Sequence, residues 1–229
     1  MYRGKDIGSR EELIATCHGV LWRGNSERLY SVLPHVSLLR CPSFLGPLSQ
    51  LLCSGTRSKQ IFAAMALGAI AHSDGLVALV DCFEAPSARI GQGYRSLQTA
   101  IIVAIGEIGS EEGVEALQKI FVREQPGDAF TPQRRRVVVA SMGKLLQQDV
   151  EAARGALLDM LRNPEPGVRA QAALELGTGY WHIPEDVPEP VIQALVESGQ
   201  DSVLEVRMAA FSSIYGLSQV GCPAAADLL

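Results

Sequence analysis

Apolar positions along this chain follow helical spacing rather than strand alternation. Leu13, Ile14, Cys17, Val20 and Leu21 fall on one face of an amphipathic helix. Ser9-Arg10-Glu11-Glu12 ahead of them places a hydroxyl at the N-cap and a carboxylate three residues on, the form of a capping box. Arg23-Gly24-Asn25 closes this first helix. Behind it one phrase recurs: small apolar residues ending on glycine, followed by a second short apolar helix. The copies are Ala63-Ala64-Met65-Ala66-Leu67-Gly68, Ile101-Ile102-Val103-Ala104-Ile105-Gly106, Val138-Val139-Ala140-Ser141-Met142-Gly143 and Ala172-Ala173-Leu174-Glu175-Leu176-Gly177. Their glycines are 38, 37 and 34 residues apart, and a weaker fifth copy ends at Gly216. Periods of this size mark stacked helix pairs, in which each unit buries its apolar face only against its neighbours.

The pattern predicts helix pairs at 26–39 and 42–53, 58–71 and 74–83, 95–108 and 111–122, 131–146 and 150–161, 166–176 and 188–197, and 204–217 with a stub at 223–229. Pro34 and Pro47 bend or shorten the first pair. Asp74 and Ser110 are placed to accept bonds from free backbone N–H groups at their helix starts. Thr131-Pro132 reads as an N-cap with proline at the first helical position, and Asp186 with Glu189 has N-cap and N3 spacing. The recurring glycine is expected at a left-handed helix end or at a close helix contact that has no room for a Cβ. The alanines before it let the next helix approach.

The apolar fraction is 47% and the charged fraction 20%, which excludes a disordered chain. A formal net charge of −5 argues against nucleic acid and anionic membranes as partners. Five scattered cysteines (Cys17, Cys41, Cys53, Cys82, Cys222) without a CxxC offer no metal or haem framework and are expected to be reduced and mostly buried. The charged start, Arg3, Lys5 and Asp6, has no apolar segment behind it, so no secretion signal is expected and a cytoplasmic location is. The apolar run from Ile61 to Val80 approaches spanning length, but His72-Ser73-Asp74-Gly75 at its centre predicts two helices and a turn.

Val168-Arg169, Ala172-Ala173 and Leu176-Gly177 together resemble the HEAT-like repeat, in the short form of phycobilisome-lyase-type proteins within the armadillo-like superfamily. Val206-Arg207 with Ala210 and Phe211 repeats the opening of that phrase, although Tyr215 stands at the glycine position. The second repeat keeps Ala63, Ala64, Ala66, Leu67 and Gly68 but has Lys59-Gln60 where Val-Arg is usual. The resemblance covers residues 26–229 and implies an all-α fold, a right-handed α-solenoid of about five to six helix pairs. First helices would lie on the convex side and second helices on the concave side. The expected organisation is a single domain over 1–229, with an N-terminal capping helix over 1–25.

Candidate binding residues fall into three groups. Glu115, Lys119 and Arg154, with Asp81, Gln118, Asp159, Gln193 and Glu197, are outward positions of the second helices and would line a groove of mixed charge, or else form a solvated face. Arg134-Arg135-Arg136 sits in the first helical turn, where positive charge opposes the helix dipole. It would take an acidic partner or a phosphate, or else be a surface cluster neutralised by Glu124 or Asp128. Tyr180, Trp181 and His182 lie in an enlarged turn, where aromatics serve as anchors unless Trp181 folds back onto the helices. The connections 85–93 and 124–130 should emerge on the edge opposite this turn. The apolar C-terminus, ending Leu228-Leu229, offers a homo-oligomer edge or a segment tucked under the last helix.

Catalytic constellations are missing from the sequence: no histidine is followed by glutamate, and no GxSxG, HExxH or phosphate-binding loop occurs. The expectation is a protein–protein interaction scaffold without cofactor, metal or catalysis, whose partner is another protein. The repeat subtype also admits a phycobilin-lyase-like role. A HEAT-like DNA glycosylase is the remaining alternative, and the acidic net charge counts against it.

Overall fold

A computed structural model describes residues 10–23, 26–85, 93–123 and 131–228. Ser9, Gly24, Asn25, Leu229 and the carboxylates Glu124 and Asp128 lie outside these residues, as do the connections over 86–92 and 124–130. Every regular element among the described residues is helical, and no helix there is long and apolar enough to cross a membrane. The chain divides into two compact units, 1–108 and 109–229.

The first unit holds α1 (Arg10–Arg23), α2 (Ser26–Leu39), α3 (Leu45–Ser54), α4 (Arg57–Ile70), α5 (Ser73–Glu84) and α6 (Tyr94–Ile108), with a 3-10 turn at Pro42–Phe44 before α3. α2 continues through Pro34, and Pro47 sits in the first turn of α3, where a missing N–H removes no helical bond. α4 packs on both α2 and α6, while α3 packs on α4 and α5. Gly68 makes the α4–α6 approach possible: a Cβ there would stand 2.8 Å from the Ala104 Cα. It lies inside α4, and the left-handed residue that ends the helix is Ala71, at φ 56°. The close-contact alternative for the recurring glycine therefore holds here, and the C-cap alternative does not.

The start of α5 differs from expectation. His72, not Asp74, is the N-cap residue, and its Nδ1 accepts from the Asp74 N–H at 3.2 Å. Both side chains flank the same orphan donors, and the extended backbone of His72 (φ −120°, ψ 142°) gives it the capping geometry.

The second unit holds α7 (Glu111–Val122), α8 (Thr131–Leu146), α9 (Glu151–Met160), α10 (Pro166–Gly179), α11 (Glu189–Ser198), α12 (Leu204–Gln219) and α13 (Pro223–Ala226). The Ser110 Oγ caps α7 by accepting from the Gly113 N–H at 3.2 Å, as expected. Asp186 is in a 3-10 turn, Pro184–Asp186, and Pro188 is the N-cap of α11, so the Asp186–Glu189 box does not form. α8, α10 and α12 lie side by side in that order, and α7 and α9 flank them. Ala172, Ala173 and Gly177 are buried on α10, and a Cβ on Gly177 would stand 2.9 Å from the Ser213 Cα of α12. The buried Ser213 hydroxyl adds a 2.8 Å bond to the Ala173 carbonyl.

Candidate interaction surface

The three consecutive arginines on α8 do not form one exposed basic patch. Arg134 is buried, 1% exposed, and its guanidinium donates to the Arg123 carbonyl that follows α7 and to the Thr131 hydroxyl. Residues one position apart on a helix point about 100° apart, so the three side chains diverge. Arg135 pairs with Glu165 and lies over the Phe121 ring, 5.6 Å from its centroid. Arg136 crosses Gly167, where any Cβ would collide with the guanidinium, and pairs with Glu205 at 3.2 Å. The surface-cluster reading is thereby corrected for Arg134, and the carboxylates that meet its neighbours are Glu165 and Glu205.

Of these arginines only Arg135 stands at a position that recurs along the chain, and the contacts there differ from copy to copy; the buried Gln98 amide has no hydrogen-bond partner among the described residues. Eight residues before the end of each small-residue phrase stand Gln60, Gln98, Arg135, Arg169 and, counting from Tyr215, Arg207. Gln60 donates from Nε2 to the Leu52 carbonyl at 2.9 Å, tying α4 to the end of α3. Arg135 and Arg169 each reach the turn ahead of the next long helix, where Glu165 and Asp201 wait. Arg169 grips Asp201 through Nε and Nη2 at 2.8 and 2.9 Å, and its Nη1 donates to the Asn163 carbonyl. That guanidinium, with the Val203 N–H, holds the Asp201 carboxyl below its ordinary range. Arg207 donates to the Asp201 and Ser202 carbonyls.

The enlarged turn after α10 splits its three candidates. Tyr180 is 5% exposed and is part of the core, so it is not a surface anchor. Burial pushes its hydroxyl up, and a hydrogen bond from Arg154 works against that push. Trp181 is 51% exposed, with one edge of its indole against Gly216 of α12, so it is partly folded back and partly free. His182 Nε2 lies 3.5 Å from an Asp149 carboxylate oxygen, on the surface.

Glu115 and Lys119 on α7 are exposed, as are Asp159 on α9 and Gln193 and Glu197 on α11. Arg154 is half-buried and pairs with Glu151 one turn before it. α9 and α11 leave an open groove of about 550 Å³ between them, lined by Leu158, Asp159, Arg162, Gln193, Ala194 and Glu197. A second hollow of about 290 Å³, between α7 and α9, contains Phe121, Val122, Met160 and again Asp159. α7, α9 and α11 thus carry a furrowed surface of mixed charge. Among the described residues no group of three or more His, Cys, Asp or Glu could hold a metal ion.

One feature of the surface is not among the sequence candidates. Leu204, Met208, Phe211 and Tyr215 on α12 are each more than half exposed. Phe211 and Tyr215 are stacked, with ring centroids 6.3 Å apart. The signal was in the sequence: Phe211 and Tyr215 occupy the positions that Ala173 and Gly177 hold in the preceding phrase. Large residues stand there where small ones admit a neighbouring helix.

No family model matches the chain, and no curated protein matches it in sequence. Among solved structures the chain is similar to the crystal structure of an engineered protein, with 16% sequence identity, 94% of each chain covered and a TM-score of 0.45.

Proposed function

We propose that this chain is a non-catalytic, HEAT-like interaction module that binds a segment of a partner protein along the second helices of its C-terminal unit. The observation carrying this reading is the open groove between α9 and α11. Its walls combine the apolar Leu158 and Ala194 with the exposed Asp159, Arg162, Gln193 and Glu197. Helices packed on both sides hold such a surface in place before binding, which lowers the ordering cost of association. Two exposed carboxylates against one exposed arginine favour a segment carrying lysine or arginine among apolar residues.

Photo-crosslinking tests the reading. A benzoylphenylalanine at Gln193 should join one predominant protein in source-cell lysate, and the added substitution Glu197→Lys should abolish that product. Crosslinking that is unchanged by Glu197→Lys, or a product obtained equally from an exposed position on α4 such as Met65, would overturn it.

A further inference from the structure

From the outer face of α12 we infer that the chain forms a reversible symmetric dimer, in which a second copy lays its own α12 antiparallel across the first. This goes beyond the partner groove and does not rest on it.

Leu204, Met208, Phe211 and Tyr215 follow one another at intervals of four, three and four residues. That is the spacing of a seam between two helices, the a and d positions of a heptad. On α10 the corresponding face, with Ala173 and Gly177, is where α12 itself packs. Phe211 and Tyr215 therefore stand on a helix-docking face by position in the fold, and all four side chains of the stripe remain more than half exposed. The C-terminal segment does not cover it: α13 packs on α11 and α12, with Ala225 buried. Leu228, on the expected apolar edge, is also about half exposed.

Three observations select a second copy as the occupant. First, a two-fold contact requires a patch complementary to itself. About a dyad between Met208 and Phe211, Leu204 faces Tyr215 of the other copy and Met208 faces its Phe211. Second, no charged residue or histidine occurs between Arg207 and Asp227. Glu205 and Arg207 lie beside Leu204 at one end of the seam, and in the antiparallel register they lie toward the uncharged Tyr215 end of the other copy. Two chains of net charge −5 therefore meet without like charges opposing each other. Third, the patch has room beside it for interdigitation. A cleft of about 230 Å³ between α10 and α12, lined by Ala170, Leu174, Met208 and Ala209 together with the polar Arg136 and Glu205, borders the stripe.

The area sets the strength. Six large apolar side chains, the four of the stripe with Leu174 and Trp181, expose roughly 500 Å² per chain, taking aromatic and similar groups to bury 150–250 Å² in full. A standard stable interface takes about 800 Å² per partner. The dimer is therefore expected to dissociate on dilution.

Sedimentation equilibrium of the full chain, from low to several hundred micromolar, tests this. The expected result is a concentration-dependent mass rising toward twice that of one chain. Phe211→Glu should raise the dissociation constant by at least about tenfold. Tyr215→Ser serves as a milder second variant should the first lose its helical circular dichroism. In a background with Cys41 and Cys53 replaced by serine, a mixture of Leu204→Cys and Tyr215→Cys chains should form a disulfide that neither chain forms alone. A monomer at every concentration overturns the proposal, as does a dimer indifferent to both stripe variants. A disulfide formed by Leu204→Cys alone overturns the antiparallel register.

Discussion

At the scale of single residues, the spaces around the glycines decide what each can tolerate. Gly177 and Gly155 are both helical, yet a Cβ on Gly177 would run into Ser213 while one on Gly155 meets nothing within 4 Å. Gly177→Ala forces α10 and α12 apart and should destabilise the unit by about 2 kcal/mol. Gly155→Ala adds no contact and removes backbone freedom from the unfolded chain, so it should stabilise by roughly 0.5–1 kcal/mol. Urea midpoints of the two variants should therefore move in opposite directions from wild type. Sequence alone gave no way to choose between a left-handed helix end and a helix crossing, because glycine serves both. Only the neighbouring helix separates them.

At the scale of elements, Arg135 and Arg169 in the second unit each grip the acid in the turn before the next long helix. Arg169 and Asp201 are 14% and 15% exposed at the side chain, so solvent screens their pairing little. Asp201→Asn should cost about 2 kcal/mol at neutral pH. Because the folded Asp201 carboxyl titrates below its ordinary value, its contribution is complete above the ordinary aspartate range. That contribution fades as pH falls through the folded value, where Asp201 is protonated in both states. The stability gap between wild type and Asp201→Asn should accordingly be constant from about pH 8 to 5 and narrow below about pH 4. A gap independent of pH would assign the cost to lost packing. The helices themselves were legible, and most predicted ends fall within one or two residues of those observed. Caps were harder to assign. His72 displaced Asp74, and the Asp186–Glu189 spacing fell in a 3-10 turn, since backbone direction rather than residue type selects the capping oxygen or nitrogen.

At the scale of the whole molecule, burial sorts the five thiols. Cys17, Cys82 and Cys222 are buried, Cys41 is partly so and Cys53 is exposed. Burial pushes the Cys82 thiol up to about 11, while hydrogen bonds between Cys41 and Ser43 lower the Cys41 thiol. Iodoacetamide at neutral pH should therefore label Cys41 and Cys53 in the native protein, with Cys17, Cys82 and Cys222 labelled only on unfolding. Mass spectrometry that found Cys82 modified under native conditions would show the first unit opening locally. The expectation of mostly buried thiols holds for three of the five and misses Cys53, which follows Leu52 on a helix whose core face is set by Leu45, Leu48 and Leu52.

What the sequence determined by itself was the periodic part: helix type, the approximate helix bounds and the small-residue phrases, because helical spacing of apolar side chains is a local property and recurs in each copy. The fate of individual polar and aromatic residues was decided by tertiary structure. Arg134 and Tyr180 went inside while Trp181, Phe211 and Tyr215 stayed partly or largely out, and Arg169 found an acid 32 residues away. Each of those outcomes depends on which neighbouring helix meets which face. A chain read one segment at a time does not contain that distance information; packing against a second segment supplies it.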